Sequence, residues 1–191
     1  MKLFTYLAPL YDLLLARVQK RQQDTIFSNI KNLKGSKLLD LGGGTGKLAG
    51  TLLQEGADVF LMDASSTMLK RACKRLPPER AVLGDAASIP FGDGTFDLVL
   101  IVDSLHHFPE QERVLQEAKR VLKNEGSLYI LDFNRDHVYI RLVEKLERML
   151  GEKSVFLTPR QLEQKLKSQG FSSIKVKELS SQEYLIAAQK T

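Results

Sequence analysis

Short apolar runs alternate with amphipathic, charged segments along most of the chain, a pattern typical of buried strands connected by helices. Apolar runs at residues 37–41, 58–62, 81–83, 96–102 and 127–131 predict five strands. Helical patterns are found at residues 46–55, 66–76, 109–122 and 137–150. Because consecutive parallel strands need a long crossover connection, this alternation predicts a doubly wound α/β sheet.

The end of the chain follows a different pattern. Thr158, Pro159 and Gln161 combine a capping box with a proline at the first helical position, which predicts a helix that ends at Gly170. Two strands follow at residues 174–179 and 183–189, and the connection between them is too short for a parallel crossover. We therefore expect a mostly parallel sheet with an antiparallel C-terminal strand.

Residues 1–33 precede the first strand and carry a broken helical period that Pro9 interrupts. This pattern predicts a helical N-terminal cap of two helices over one edge of a ligand site that residues 34–191 form. Tyr11 lies within the cap, where it either closes over the ligand or packs against neighbouring side chains. No linker or repeat interrupts the chain, so we expect residues 1–191 to form a single domain.

A glycine-rich turn joins the first strand to its helix, in the stretch Asp40-Leu41-Gly42-Gly43-Gly44-Thr45-Gly46-Lys47. Such a turn brings backbone amides close to a nucleotide-like ligand. It lacks the pattern of a nucleoside-triphosphate loop, since Leu48 and not Ser or Thr follows Lys47. The dinucleotide fingerprint does fit, but Asp40 beside the turn would repel a pyrophosphate and suits an ammonium group. The stretch therefore favours S-adenosylmethionine over NAD.

A second acidic residue supports an adenosine-containing ligand. Asp63 ends the second strand 21 residues after Gly42, a spacing at which a carboxylate reaches ribose hydroxyls in nucleotide-binding sheets. Asp85 follows the third strand, where it either accepts a hydrogen bond from an exocyclic amine or caps a turn. Since the carboxyl ends of parallel strands share one edge of a sheet, we expect these acids to surround one ligand.

Composition bears on the partners, the disulfide content and the location of the protein. The chain has a formal net charge of +5, which the solvated faces of basic helices explain without a nucleic-acid partner. Its single cysteine excludes an internal disulfide. The sequence shows neither an apolar run of membrane-spanning length nor a signal peptide, and we expect a cytoplasmic protein.

Further motifs follow the glycine turn and Asp63 in order along the chain. They are Gly84-Asp85-Ala86, Ile89-Pro90-Phe91, Thr95-Phe96-Asp97-Leu98-Val99, Leu105-His106-His107 and Phe156-Leu157-Thr158-Pro159. Together they resemble class I S-adenosylmethionine-dependent methyltransferases, in particular the branch of ubiquinone and menaquinone biosynthesis C-methyltransferases. The resemblance implies a Rossmann-like fold of seven strands and an enzyme that converts S-adenosyl-L-methionine into S-adenosyl-L-homocysteine. Asp103 departs from the family pattern, in which a small or apolar residue is more usual.

The resemblance also implies which residues hold the cofactor. Gly42, Gly43 and Gly44 are expected to line its methionine part with Asp40 near the ammonium group, and Asp63 is expected to bind the ribose hydroxyls. The remaining contacts implied are Ala64, Met68, Asp85 and Ala86 around the adenine and Val102 near the sulfonium.

The side of the site that receives the methyl group is less defined. His106 and His107 lie near the expected reacting face, and His107, being nearer the next helix, is the preferred general base, since imidazole titrates near neutrality. Each histidine also fits a packing or capping role. The apolar and aromatic residues around them favour a small, partly apolar acceptor over a nucleic acid.

Other functions stay open at this point: a protein that binds the cofactor without catalysis, a methyltransferase that acts on RNA, and a nicotinamide-dependent dehydrogenase. Asp103, Asp132 and Asn134 are similar to the magnesium ligands of catechol-type O-methyltransferases, but their spacing is loose and we expect no bound metal. The sequence names neither the acceptor nor the oligomeric state.

Overall fold

The computed structural model describes residues 16–30, 33–149, 151 and 153–191. Tyr11 and the first helix predicted for the cap therefore lie outside the described residues. Within them the α-helices are α1 (Ala16–Asn29), α2 (Lys47–Gln54), α3 (Ser66–Ala72), α4 (Gln111–Val121), α5 (Val138–Met149) and α6 (Pro159–Ser168). The strands are β1 (Lys37–Leu41), β2 (Asp58–Asp63), β3 (Ala81–Leu83), β4 (Phe96–Val102), β5 (Leu122–Phe133), β6 (Phe171–Glu178) and β7 (Glu183–Lys190). None of the described helices is long and apolar enough to span a membrane.

The seven strands form one sheet in the order β3-β2-β1-β4-β5-β7-β6. The first five strands are parallel, and β7 is antiparallel to its neighbours β5 and β6. This topology confirms the predicted Rossmann-like, mostly parallel sheet with an antiparallel C-terminal strand. Because β1 lies between β2 and β4, the chain winds outward in both directions from the β1–β4 pair. Ligands bind at such a switch point, beyond the carboxyl ends of the strands.

Several predicted boundaries are wrong. α3 ends at Ala72 and not at residue 76, and β6 begins at Phe171 and not at residue 174. α4 begins at Gln111 and not at Pro109, because Glu110 has φ −114° and ψ 58° and so lies outside the helical region. β5 begins at Leu122, directly after α4, and not at Ser127. The intervening residues are polar and were expected to form a loop, but β4 pairs with β5 from Leu122 onward, across a register shift. Pairing with a neighbouring strand thus decides the length of β5.

The capping box of α6 is confirmed. Gln161 N–H donates to Thr158 Oγ1 at 3.2 Å, and Thr158 N–H donates to Gln161 Oε1 at 2.9 Å. Gly170 ends the helix with φ +75°, a conformation that favours glycine. These two signals place the start of β6 directly after the helix.

Side chains alternate between the two faces of the sheet, as the pleat requires. One face carries Leu39, Leu41, Val99 and Ile101, which pack with buried residues of α4 and α6. The other carries Leu38, Leu98 and Leu100, which pack with Ile26 of α1, Ala49 and Leu52 of α2, and Leu69 and Ala72 of α3. The central strands of the sheet are therefore buried on both faces.

Candidate cofactor and active site

The glycine turn follows β1 and leads into α2. Gly44 has φ +57°, and no atom lies within 4 Å of the position where a Cβ would stand, so this residue faces open space. At Gly43 a Cβ would lie 2.5 Å from Asp40 Oδ2 and 2.7 Å from Leu61 Cδ1. The turn is thus open on the side where a ligand would lie and closely packed on the side of the sheet.

Asp63 connects the end of β2 to this turn. Its Oδ2 accepts a hydrogen bond from Gly44 N–H at 2.9 Å, and its Oδ1 accepts from Ser65 N–H at 2.7 Å. Burial raises the pKa of the Asp63 carboxyl, although these backbone N–H groups counteract the shift. A carboxylate held in this way has lone pairs left for hydroxyl donors at the cavity.

A cavity of about 550 Å³ lies beyond the carboxyl ends of β1, β2, β3 and β4. Eight of the predicted site residues line it: Gly42, Gly44, Asp63, Ala64, Met68, Asp85, Ala86 and His107. Most of the remaining wall is apolar, with Leu83, Phe108 and Val114 among its residues. The structure therefore brings together most of the predicted cofactor residues, from three strand ends and the loop after β4.

A smaller cavity of about 80 Å³ lies on the other side of the glycine turn. Gly43 and Val102 line this one, and Gln19 and Gln22 of α1 form part of its wall. Gly42, Gly44 and Asp103 line both cavities. The described part of the N-terminal segment thus lies beside the glycine turn.

Asp40 lies beneath the turn and not on a cavity wall. Its side chain is only 1% exposed, and the Oδ2 atom has no hydrogen-bond partner among the described residues. Burial, together with the negative charge of Asp63, raises the pKa of Asp40 to about 7. Because Asp40 lines neither cavity, it would act on a ligand bound there through its charge and not through a direct contact.

Asp85 fits both of its predicted roles. It lines the larger cavity, and its Oδ1 accepts a hydrogen bond from Ala87 N–H at 2.9 Å. Asp85 can therefore cap the turn with one carboxylate oxygen while it borders the cavity.

His107 lines the larger cavity at the turn that follows β4. Its Nδ1 lies 3.2 Å from Ser154 Oγ, and its ring lies 3.9 Å from that of His106 between centroids. Burial and the charge of His106 lower the pKa of His107 to about 2. The ring is therefore neutral throughout the physiological range, with Nε2 on the side away from Ser154.

His106 is buried and forms a pair with Asp132 at the end of β5. Its Nδ1 lies 2.6 Å from Asp132 Oδ1, and its backbone N–H donates to Asp132 Oδ2 at 3.1 Å. The ring stacks on Phe156, with 4.2 Å between centroids. Burial lowers the pKa of His106, but the Asp132 and Asp103 carboxylates raise it by more, so the net shift is upward.

Asp103 follows β4 with φ +52°, a left-handed conformation that is strained for a residue other than glycine. Its backbone N–H donates to Leu131 O at 2.8 Å, which helps to hold this conformation. The pKa of Asp103 is raised to about 7, mainly by burial. The charge of His106 opposes this shift, and the charge of Asp132 adds to it. Because Asp103 borders both cavities, this strained residue lies where a ligand in the larger cavity would approach one in the smaller cavity.

Among the described residues, one group of side chains could hold a metal ion. Ligand atoms of Asp103, His106 and Asp132 lie within 4.8 Å of one another. Asn134, which the sequence groups with the two aspartates, instead accepts a hydrogen bond at Oδ1 from Asp136 N–H at 3.0 Å. The structure thus gathers a different set from the one considered in the sequence, with His106 in place of Asn134.

Some cavity residues were not predicted. Lys153 and Ser154 lie in the segment after α5, about 50 residues beyond the strand end that they face. Neither belongs to a recognisable motif, and no local pattern in the sequence points to them. Only the path of the chain over the sheet brings them to the cavity.

Comparisons with known proteins agree with this geometry. Residues 39–130 match the family described as methyltransferase domain. A demethylmenaquinone methyltransferase of Thermotoga maritima is 37% identical over 139 residues, which cover 69% of this chain and 60% of that relative. The chain thus spans about 60% of the length of that relative.

Solved structures show the same fold. An S-adenosylmethionine-dependent methyltransferase of Thermotoga maritima, described as a possible histamine N-methyltransferase, has a TM-score of 0.80 at 22% identity and covers 98% of both chains. The phosphoethanolamine N-methyltransferase 2 of Haemonchus contortus in complex with S-adenosyl-L-methionine has a TM-score of 0.75 at 20% identity, covering 89% of this chain and 52% of that one.

Proposed function

We propose that the protein is an S-adenosylmethionine-dependent methyltransferase, which transfers a methyl group from S-adenosyl-L-methionine to a small, partly apolar molecule. The methyltransferase domain matched by residues 39–130 and the relative that is 37% identical support this proposal. The observation that carries this proposal is the position of Asp63. Its carboxylate is fixed by the glycine turn through Gly44 N–H and borders a cavity of about 550 Å³. A cavity of that size accommodates a small-molecule cofactor, and its polar groups are few and convergent.

The described residues fit this cofactor part by part. Asp63 would accept hydrogen bonds from the ribose hydroxyls, while Met68 and Ala86 would pack on the adenine. Gly44 has no atom within 4 Å of its missing Cβ, so its backbone is free to approach the methionine part. Asp40 would stabilise the ammonium group through its charge.

When bound, S-adenosyl-L-methionine supplies a methyl group on a positively charged sulfur. The task of the chain is then to align the acceptor and to exclude water, which can contribute a large share of the rate. The apolar wall that includes Leu83, Phe108 and Val114 would exclude water. The loop after β4 would orient the acceptor, because it borders both cavities.

An acceptor that carries a proton at its reacting group needs a base. The predicted base is His107, whose Nε2 would receive the proton; its pKa of about 2 keeps the ring neutral at physiological pH but makes it a weak proton acceptor. Asp103 is a second candidate because its carboxylate borders both cavities. The buried pair of His106 and Asp132 lies behind Asp103 and would hold it in place.

The acceptor that we propose contains a quinol ring. Support comes from the relative named for demethylmenaquinone and from the mostly apolar wall of the larger cavity. An RNA acceptor would instead need a continuous row of basic side chains at the cavity. Among the described residues that line the larger cavity, Lys153 is the only lysine or arginine.

Calorimetric titration tests the cofactor. S-adenosyl-L-homocysteine should bind, and NAD should bind at least a hundredfold more weakly, since a pyrophosphate would meet the negative charges of Asp40 and Asp63. Asp63→Ala serves as the matched control and should lose most of the affinity for S-adenosyl-L-homocysteine. Equal binding of NAD would favour the dehydrogenase alternative and would contradict the proposal.

A second assay tests the reaction. The protein is incubated with S-adenosyl-L-methionine that carries an isotopically labelled methyl group and with reduced 1,4-naphthoquinone, and products are analysed by mass spectrometry. A labelled methyl-naphthoquinol is the expected product. Cofactor binding with no labelled product from naphthoquinol or from cell extract would leave the non-catalytic binding protein as the better function. Labelled RNA from the extract would identify the other alternative.

A further inference from the structure

Helix α5 exposes an unusual number of large apolar side chains. Val138, Tyr139, Leu142, Leu146 and Met149 are each between 50 and 76% exposed. Five of the eight large hydrophobic residues that are exposed in the described chain therefore lie on this one helix. Contiguous exposed apolar surface of this kind marks an interaction site.

The exposed side chains share one face of the helix. Ile140 and Glu144 are the buried residues of α5 and define the face that packs on the domain. At about 100° per residue, all five exposed apolar side chains lie within about 60° of the opposite direction. The outermost face of α5, which is polar in an ordinary surface helix, is therefore apolar. We call it the outer face of α5.

Basic residues lie along one side of this outer face. Arg141, Lys145 and Arg148 are all exposed and follow one another at helical spacing. Arg148 lies 3.5 Å from Glu144, whereas no ion pair of Arg141 or Lys145 is found within the described part of the chain. The helix thus presents an apolar ridge flanked by positive charge, the arrangement of helices that lie in the surface of a lipid bilayer.

We propose that the outer face of α5 docks the protein on the surface of an anionic lipid bilayer, with its apolar side chains in the boundary of the acyl chains and its basic side chains among the headgroups. Charge complementarity selects this occupant. Residues 1–15 contain only Lys2 and Asp12 as charged side chains, so this segment has no net negative charge to match the three basic residues of α5. A second copy of the chain would bring like charges together across a two-fold axis.

The outer face of α5 lies on a helix that is connected to the wall of the larger cavity. The helix follows the end of β5, and the segment after it contributes Lys153 and Ser154 to the wall of the larger cavity. Val155, in the same segment, is also exposed. Docking would therefore bring the cavity close to the bilayer surface. The proposal does not depend on the methyltransferase activity, because it rests on α5 alone.

Vesicle binding of the full chain tests the proposal. The probe is phosphatidylcholine vesicles with and without about a quarter of phosphatidylglycerol, followed by sedimentation. The double variant Leu142→Glu/Leu146→Glu removes the apolar ridge, and Val176→Glu, at an exposed valine of β6, is its matched control. The double variant Arg141→Glu/Lys145→Glu reverses the basic side, and Lys70→Glu/Lys74→Glu, with the same spacing on another surface, is its control.

The wild type and both controls should bind the anionic vesicles, and each α5 variant should bind at least tenfold more weakly. Raising the salt from about 0.1 to about 0.5 M should weaken binding of the wild type, because the screening length shortens. Absence of binding to anionic vesicles, or equal binding by the α5 variants, would overturn the proposal.

Two further outcomes would assign the surface to another occupant and would also overturn the proposal. One is a dimer of the wild type in light scattering that Leu142→Glu/Leu146→Glu dissociates. The other is a large fall in the melting temperature of that variant without vesicles, compared with Val176→Glu, since this would show that the chain itself covers the outer face.

Discussion

Replacing Asp63 with alanine perturbs the central contact of the proposed cofactor site. The substitution removes the carboxylate that accepts from Gly44 N–H at 2.9 Å and from Ser65 N–H at 2.7 Å. It also removes the group expected to hold the ribose. Both N–H groups lie at residues that line the cavity, so water can replace the lost acceptor and the fold should persist.

The magnitude follows from the kind of hydrogen bond. Bonds to a charged acceptor contribute about 1.5–3 kcal/mol each, and a diol held by one carboxylate should lose about 2–3 kcal/mol in total. Affinity for S-adenosyl-L-homocysteine should therefore fall by about thirty- to a hundred-and-fiftyfold. Asp63→Asn, which keeps the shape and one acceptor oxygen, should lose about tenfold.

Calorimetry with a second ligand isolates the ribose contact. A 2′-deoxy analogue of S-adenosyl-L-homocysteine should bind the wild type more weakly than the parent ligand does, and the two should bind Asp63→Ala alike. The resulting double-mutant cycle removes any indirect effect of the substitution on the turn. Binding of the parent ligand to Asp63→Ala within threefold of the wild type, with normal melting, would refute the reasoning, because the ribose would then be held elsewhere.

Three further predictions concern the residues around that contact. The folded pKa of Asp40, about 7, exceeds its unfolded value of 3.8, so ionisation of Asp40 destabilises the folded wild type as the pH rises. In urea unfolding, the free energy of unfolding of Asp40→Asn should therefore rise by about 2–3 kcal/mol relative to that of the wild type between about pH 5 and about pH 8. Gly43→Ala would place a Cβ 2.7 Å from Leu61 Cδ1 and closer still to Asp40, and should lower the free energy of unfolding by about 1–3 kcal/mol in the same assay. His107→Asn should lower kcat with naphthoquinol by about a hundredfold or more if Nε2 is the base; a loss below threefold would transfer that role to Asp103.

The sequence alone determined the order of the elements and the chemistry at the strand ends. Apolar runs fixed four of the five parallel strands to within a residue, because a strand buried on both faces must be apolar along its length. Asp63 and the glycine turn were identifiable because their spacing reflects a local strand–turn–helix geometry. The cap of α6 was identifiable for the same reason, since Thr158 and Gln161 contact each other within one turn.

Tertiary structure decided what local spacing cannot express. β5 extends back through polar residues to Leu122, which pairs with Phe96 of β4, and such backbone pairing between distant segments leaves no apolar run in the sequence. Asp40 lies beneath the turn and Asp103 lies between two cavities, although both are found near the carboxyl end of a strand. The pKa of about 2 for His107 arises from burial beside His106, and Ser154 reaches it from 47 positions away. Burial and charge act through space, so only the folded chain determines which of these groups can carry a proton.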